Sequence, residues 1–141
     1  MSNKILNKKL PETSNKKSED SNIILIVEDD PILSKMYREK FTFEGFSVLT
    51  ARDGEEGLKM ALEEKVDLIL LDIMLPKMSG VDLLEKLRQD PKGKVLPVIA
   101  LTNLAQQEEK KKSQDLGIKD YLVKAMQTPE EVVNKVKEYL K

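Results

Sequence analysis

The sequence predicts an α/β fold: a doubly wound, five-stranded parallel sheet in the order 2-1-3-4-5, with five helices. Three observations predict it. Short apolar runs such as Ile23–Val27 and Leu68–Leu71 lack any polar alternation, as strands buried on both faces do. The stretches between such runs carry apolar residues at helical spacing. Strand and helix patterns alternate five times in about 120 residues, and parallel strands require such crossovers.

The elements follow in order. Ile23–Val27 is the first strand. Asp30 is a candidate N-cap before Pro31, which opens a helix with Leu33, Met36, Tyr37 and Phe41 on its apolar face. Gly45 stops that helix, and Ser47–Thr50 is a second strand. Asp53-Gly54-Glu55-Glu56 opens a helix carrying Leu58, Ala61 and Leu62. Leu68–Leu71 is the third strand. A loop with Pro76 and Gly80 leads to a helix with Val81, Leu84 and Leu87, which ends at the turn Asp90-Pro91-Lys92-Gly93. Pro97–Leu101 is the fourth strand. Gln106–Asp115 is a helix with almost no apolar face, ended by Gly117. Asp120–Val123 is the fifth strand. Thr128-Pro129-Glu130-Glu131 starts the last helix, whose buried stripe is Val132, Val133, Val136, Tyr139 and Leu140.

Composition excludes much chemistry. The 141 residues include no histidine and no cysteine, so disulfides, zinc fingers and Ser-His-Asp or Cys-His catalysis are impossible within the chain. Bases and acids number 24 and 25, a balance that gives no basic surface for nucleic acid. The longest aliphatic run, Ile23–Val27, is far too short to span a membrane, and the N-terminus has no signal-peptide core. The expectation is a soluble cytoplasmic protein. Residues 1–21 carry five lysines and three acids with little to bury, and are expected to form a disordered polar tail before one domain over 22–141.

In a doubly wound fold, ligands sit beyond the carboxyl ends of the strands. There the sequence places Glu28, Asp29 and Asp30 after strand 1, Asp72 after strand 3, Thr102 after strand 4 and Lys124 after strand 5. Asp30 reads best as a helix cap. Glu28, Asp29 and Asp72 would raise one another's pKa, which a shared proton or a bound cation relieves. A hard divalent cation with oxygen ligands fits better, and magnesium is the common one. Magnesium beside a carboxylate, an amine and a hydroxyl can handle a phosphoryl group, with Asp72 as nucleophile.

The runs Ile24–Asp30, Asp67–Gly80, Pro97–Thr102 and Asp120–Lys124 together resemble the receiver domain of bacterial two-component response regulators, over roughly residues 22–141. The resemblance implies the CheY-like, flavodoxin-like fold, with Asp72 as phosphoacceptor. It implies a magnesium site in which Asp29 and Asp72 bind directly, Glu28 partly through water, and Met74 through its backbone carbonyl. Thr102 and Lys124 correspond to the phosphoryl contacts, and Thr102 with Tyr121 to the switch pair. The implied donor is phosphohistidine on a sensor histidine kinase or a histidine phosphotransfer protein. Modification would then alter the face made by the fourth helix, fifth strand and fifth helix. Such a domain assists only its own phosphorylation and dephosphorylation, and is not expected to be an enzyme on separate substrates.

Two positions depart from the family pattern. Ala125 follows Lys124 where proline in a cis peptide is usual, which leaves that peptide either strained or trans. Asn103 follows Thr102 where a small residue is usual. Because the sequence stops after the last helix, a stand-alone receiver is expected, acting on a separate downstream protein. It is expected to be a monomer or weak dimer, with no nucleic-acid binding of its own and no membrane association. A phosphorylation-independent adaptor on the same fold is the alternative. A small enzyme is disfavoured: an aspartate-nucleophile phosphatase needs an acid at the Met74 position, and three acids after strand 1 repel a flavin phosphate.

Overall fold

A computed structural model describes residues 21–103 and 106–140. The expected tail, residues 1–21, lies outside them apart from Ser21. Five parallel strands form one sheet in the order β2-β1-β3-β4-β5. They are β1 (Ile23–Val27), β2 (Ser47–Ala51), β3 (Leu68–Asp72), β4 (Val98–Thr102) and β5 (Asp120–Val123). The helices are α1 (Pro31–Phe43), α2 (Gly54–Glu63), α3 (Gly80–Gln89), α4 (Gln107–Asp115) and α5 (Pro129–Tyr139). This is the predicted doubly wound α/β architecture.

Up to Asp72 and Thr102 at their ends, the central strands are apolar because each feeds two cores. Leu25, Val27, Ile69, Leu71, Val98 and Ala100 face one side, packed with Ala61 of α2 and Leu83, Leu84 and Leu87 of α3. Ile24, Ile26, Leu68, Leu70, Ile99 and Leu101 face the other, against Tyr37 and Phe41 of α1 and the valines of α5. Each fully buried aliphatic side chain contributes about 1.5–3 kcal/mol relative to exposure. Phe41 is fully buried and meets Phe46 edge-on, with centroids 5.6 Å apart.

Local chemistry sets the helix starts. Asp30 accepts from the amides of Ile32 and Leu33, Asp53 from Glu56, and Ser79 from Asp82. Thr128 and Glu131 form a reciprocal capping box on α5. By contrast, α4 has no side-chain cap, and Ser113 is its one buried residue. Asp72 and Thr102 fall inside β3 and β4 as their last residues, one step later than the apolar pattern indicates. The ladder continues through both, pairing Asp72 with Leu101 and Thr102 with Val123.

Gly80 brings α3 against the end of β3. A Cβ at this position would lie 2.6 Å from Ile73 Cα and 2.7 Å from the Asp72 carbonyl oxygen. The loop between them turns at Lys77, which adopts φ 66°.

Candidate functional site

The carboxyl ends of β1, β3 and β5 bring four charged side chains together. Glu28 and Asp72 are each 3% exposed, while Asp29 is exposed. One carboxylate oxygen from each of Glu28, Asp29 and Asp72 lies within 4.8 Å of the others. The Lys124 ammonium bridges the two buried acids, 2.8 Å from Glu28 Oε1 and 3.1 Å from Asp72 Oδ2. Backbone amides complete the cradle: Met74 N–H donates to Asp72 Oδ1 at 2.9 Å, and Asp30 N–H donates to Glu28 Oε2 at 3.1 Å.

The electrostatics follow from burial. Desolvation pushes the Glu28 carboxyl up to about 7, aided by the Asp72 charge and opposed by Lys124. Desolvation also raises Asp72, against the Met74 amide and Lys124. Burial alone would lower Lys124, but Glu28 and Asp72 outweigh it and raise its pKa. The pair of acids is therefore short of positive charge even with the lysine in place. Three oxygen donors from two strands, one of them open to solvent, fit a hard divalent cation such as magnesium.

Thr102 is 1% exposed at the end of β4, beside the site. Burial raises the pKa of the Tyr121 hydroxyl, as does Glu109, while the Thr102 hydroxyl and the Gln106 backbone act the other way. The two expected switch residues are thus adjacent. Lys110 of α4 sits 5.9 Å above the Tyr121 ring centroid. Met74 contributes its amide, and its half-exposed side chain lines a cleft of about 510 Å³ with Asp29, Pro76, Asp82, Glu109 and Lys112. Asn103 is exposed.

The Lys124-Ala125 peptide is trans, and no described peptide bond is cis. Lys124 opens a single 3-10 turn, Lys124–Met126, and reaches both acids from it. The alanine thus leaves the amine in the site. Sequence reasoning missed Tyr37. It reads as one more apolar-stripe residue, yet its hydroxyl feels both Lys124 and Glu28, and burial raises its pKa.

Buried acids held by a lysine at the carboxyl ends of a doubly wound sheet define a CheY-like signalling domain. The chain belongs to the response regulator receiver domain family of two-component systems, whose sequence profile matches residues 24–137. Among curated relatives, the transcriptional regulatory protein CpxR of Klebsiella pneumoniae is 44% identical over 73% of this chain and 43% of its own length. The DNA-binding dual master transcriptional regulator RpaA of Synechocystis is 37% identical over 84% of this chain and 48% of its own. A CheY-like receiver domain protein from Methanospirillum hungatei superposes with a TM-score of 0.80 at 34% identity, covering 86% of this chain and 94% of that one. The receiver domain of sensor histidine kinase PA1611 from Pseudomonas aeruginosa, solved with magnesium coordinated in its active-site cleft, gives a TM-score of 0.76. It is 28% identical over 84% of this chain and 96% of that one.

These relatives correct one expectation. The absence of nucleic-acid binding was inferred from the near-neutral charge, but RpaA is a DNA-binding regulator and CpxR a transcriptional one. The chain spans a little under half the length of these curated relatives. Charge balance within this stretch therefore says nothing about what the remainder of such proteins binds, and the expectation of a stand-alone receiver has no support from them. No helix among the described residues is long and apolar enough to cross a membrane.

Proposed function

We propose that Asp72 is the phosphoacceptor of a signalling switch. The Asp72 carboxylate attacks phosphorus on a partner's phosphohistidine. An oxygen–phosphorus bond forms, the phosphorus–nitrogen bond breaks, and its electron pair leaves with the partner's imidazole. Glu28, Asp29, Asp72 and the Met74 carbonyl would hold magnesium, which supplies charge neutralisation for the phosphoryl oxygens. Lys124 holds the Asp72 carboxylate in place and is positioned to pair with a phosphoryl oxygen. Thr102, buried at the end of the neighbouring strand β4, is the hydroxyl we assign to a further oxygen. Its movement toward the phosphoryl group would free space for Tyr121 and shift the face made by α4, β5 and α5.

The observation that carries this reading is the Lys124 bridge between two buried acids whose ionisation burial opposes. An adaptor that never used the site would have no need of such a costly arrangement. The domain acts only on itself, so we do not class it as an enzyme. By likeness to CpxR and RpaA, the output we infer is control of transcription, and the setting is the cytoplasm, where kinases charge histidine from ATP.

The test is incubation with acetyl phosphate or phosphoramidate and magnesium, followed by intact-mass and peptide analysis. The expected result is one phosphoryl group on Asp72, absent in Asp72→Asn. Labelling that survives this substitution would remove Asp72 from the proposal.

A further inference from the structure

Among the described residues, the contacts that anchor the polar helix α4 gather at its C-terminal end. At that end, Arg88 of α3 directs four guanidinium bonds to backbone carbonyls. It donates from Nε to Leu116 O at 2.7 Å, from Nη1 to Gly93 O and Leu96 O at 2.7 Å each, and from Nη2 to Gly117 O at 3.1 Å. Two of those four carbonyls lie just past the last turn of α4. The others belong to the connection between α3 and β4. The fork geometry of guanidinium suits such multiple bonding, which a lysine could not reproduce.

Other contacts tighten the same end. Gly117 takes φ +79°, and its amide returns to Gln114 O at 3.0 Å. The Lys119 amide bonds Val98 O of β4 at 2.7 Å. Ser113 is fully buried, and Leu116 and Ile118 pack on the core. From the same α3–β4 connection, Lys92 Nζ bonds Leu62 O at 3.1 Å and Glu64 O at 2.5 Å at the end of α2. The ends of α2, α3 and α4 remote from Asp72 are thereby clasped together.

The opposite end of α4 is different. Gln106, Gln107 and Glu108 are exposed, and no side chain caps the helix. Here α4 meets the switch residue instead, with Lys110 over the Tyr121 ring and Glu109 acting on its hydroxyl. Among the described residues, the end that meets Tyr121 is the end with fewer contacts to hold it.

We propose that Arg88 is a positioning residue: it fixes the C-terminal end of α4 as a fulcrum, so that the helix responds to Asp72 only through its N-terminal turns. This rests on the switch reading above. It adds the direction of the motion and the residue that imposes it.

Amide hydrogen exchange on the full chain, with and without beryllofluoride and magnesium as an acyl-phosphate mimic, tests it. The expected result is a change of about tenfold or more in exchange at residues 107–111, with residues 114–118 within about twofold. In Arg88→Met the change should spread over 107–118, while labelling of Asp72 by acetyl phosphate persists. Arg88→Lys should restore the gradient only in part. A uniform change along α4 in the unmodified protein overturns the fulcrum and leaves the switch standing, and needs no variant that must fold. No change anywhere overturns the switch reading and this inference with it. An Arg88→Met protein that is less stable but keeps the gradient overturns the positioning role.

Discussion

The Lys124 ammonium lies 3.1 Å from Asp72, a contact that joins the end of β3 to the turn after β5 across β4, between residues 52 apart in sequence. It holds the Asp72 carboxylate in place but leaves burial as the larger influence on its pKa. An Asp72→Asn substitution removes one of two crowded acids and leaves Lys124 to Glu28. It should abolish phosphoryl labelling and, without magnesium, stabilise the fold by about 1 kcal/mol. Intact-mass analysis and urea unfolding of the same sample check both effects.

Stability should also vary with pH in the presence of a chelator. The folded state holds a proton on Glu28 up to about pH 7, whereas in the unfolded chain the proton is lost near 4.5. Folding takes up that proton between these values, so stability falls as pH rises from about 4.5 to 7 and then levels off. Asp72 is raised too and adds in the same direction. Glu44 and Asp53 are lowered, by Lys137 and by the Glu56 amide respectively, so their contributions fall below this window. Thermal unfolding at closely spaced pH values in EDTA measures the slope, and stability rising through the window contradicts it.

Magnesium should reverse that slope. At a hundredfold excess over its dissociation constant, a ligand specific for the folded state adds about 2.7 kcal/mol. The gain should vanish with EDTA. In Asp29→Asn it should need far more magnesium, while this exposed site leaves the metal-free stability almost unchanged. Melting temperatures across a magnesium titration of both proteins provide the comparison.

Ser113 carries a buried hydroxyl with no hydrogen-bond partner among the described residues. Ser113→Ala removes that uncompensated group and improves helix propensity, so it should stabilise the protein by about 1 kcal/mol. Chemical denaturation reads the gain. A loss of stability would mean that the hydroxyl is satisfied by water.

Phe41 tests the core on the α1 side of the sheet. It is fully buried, and Phe41→Ala should cost about 3–5 kcal/mol while leaving the acids of the site in place in whatever fraction stays folded. Unfolding curves combined with Asp72 labelling at low temperature separate the two effects.

The strands were legible because burial on both faces leaves uninterrupted apolar runs such as Ile23–Val27 and Leu68–Leu71. The acids and Lys124 were legible once those strands located the rim of the sheet. The strand ends were one residue off at Asp72 and Thr102, because a polar side chain at a strand terminus does not reveal whether its backbone still pairs. Arg88 was invisible for a related reason. Its partners are four backbone carbonyls, all outside its own helix and up to 29 residues away, and carbonyls have no sequence signature. Tyr37 was hidden by the apolar stripe it belongs to. The trans Lys124-Ala125 peptide needed coordinates, since alanine permits either outcome that the missing proline left open.

The register of the sheet has a further consequence. Asp72 sits opposite Leu101, Thr102 opposite Val123, and the preceding residues of the same strands pack the two cores. A slip of one residue would turn the apolar set of a strand to the wrong face and move the acid or hydroxyl off the rim at the same moment. Misfolded copies therefore cannot retain chemistry. On the phosphoacceptor reading, a chain that takes a phosphoryl group has already folded in register, and the signal carries with it a certificate of correct folding.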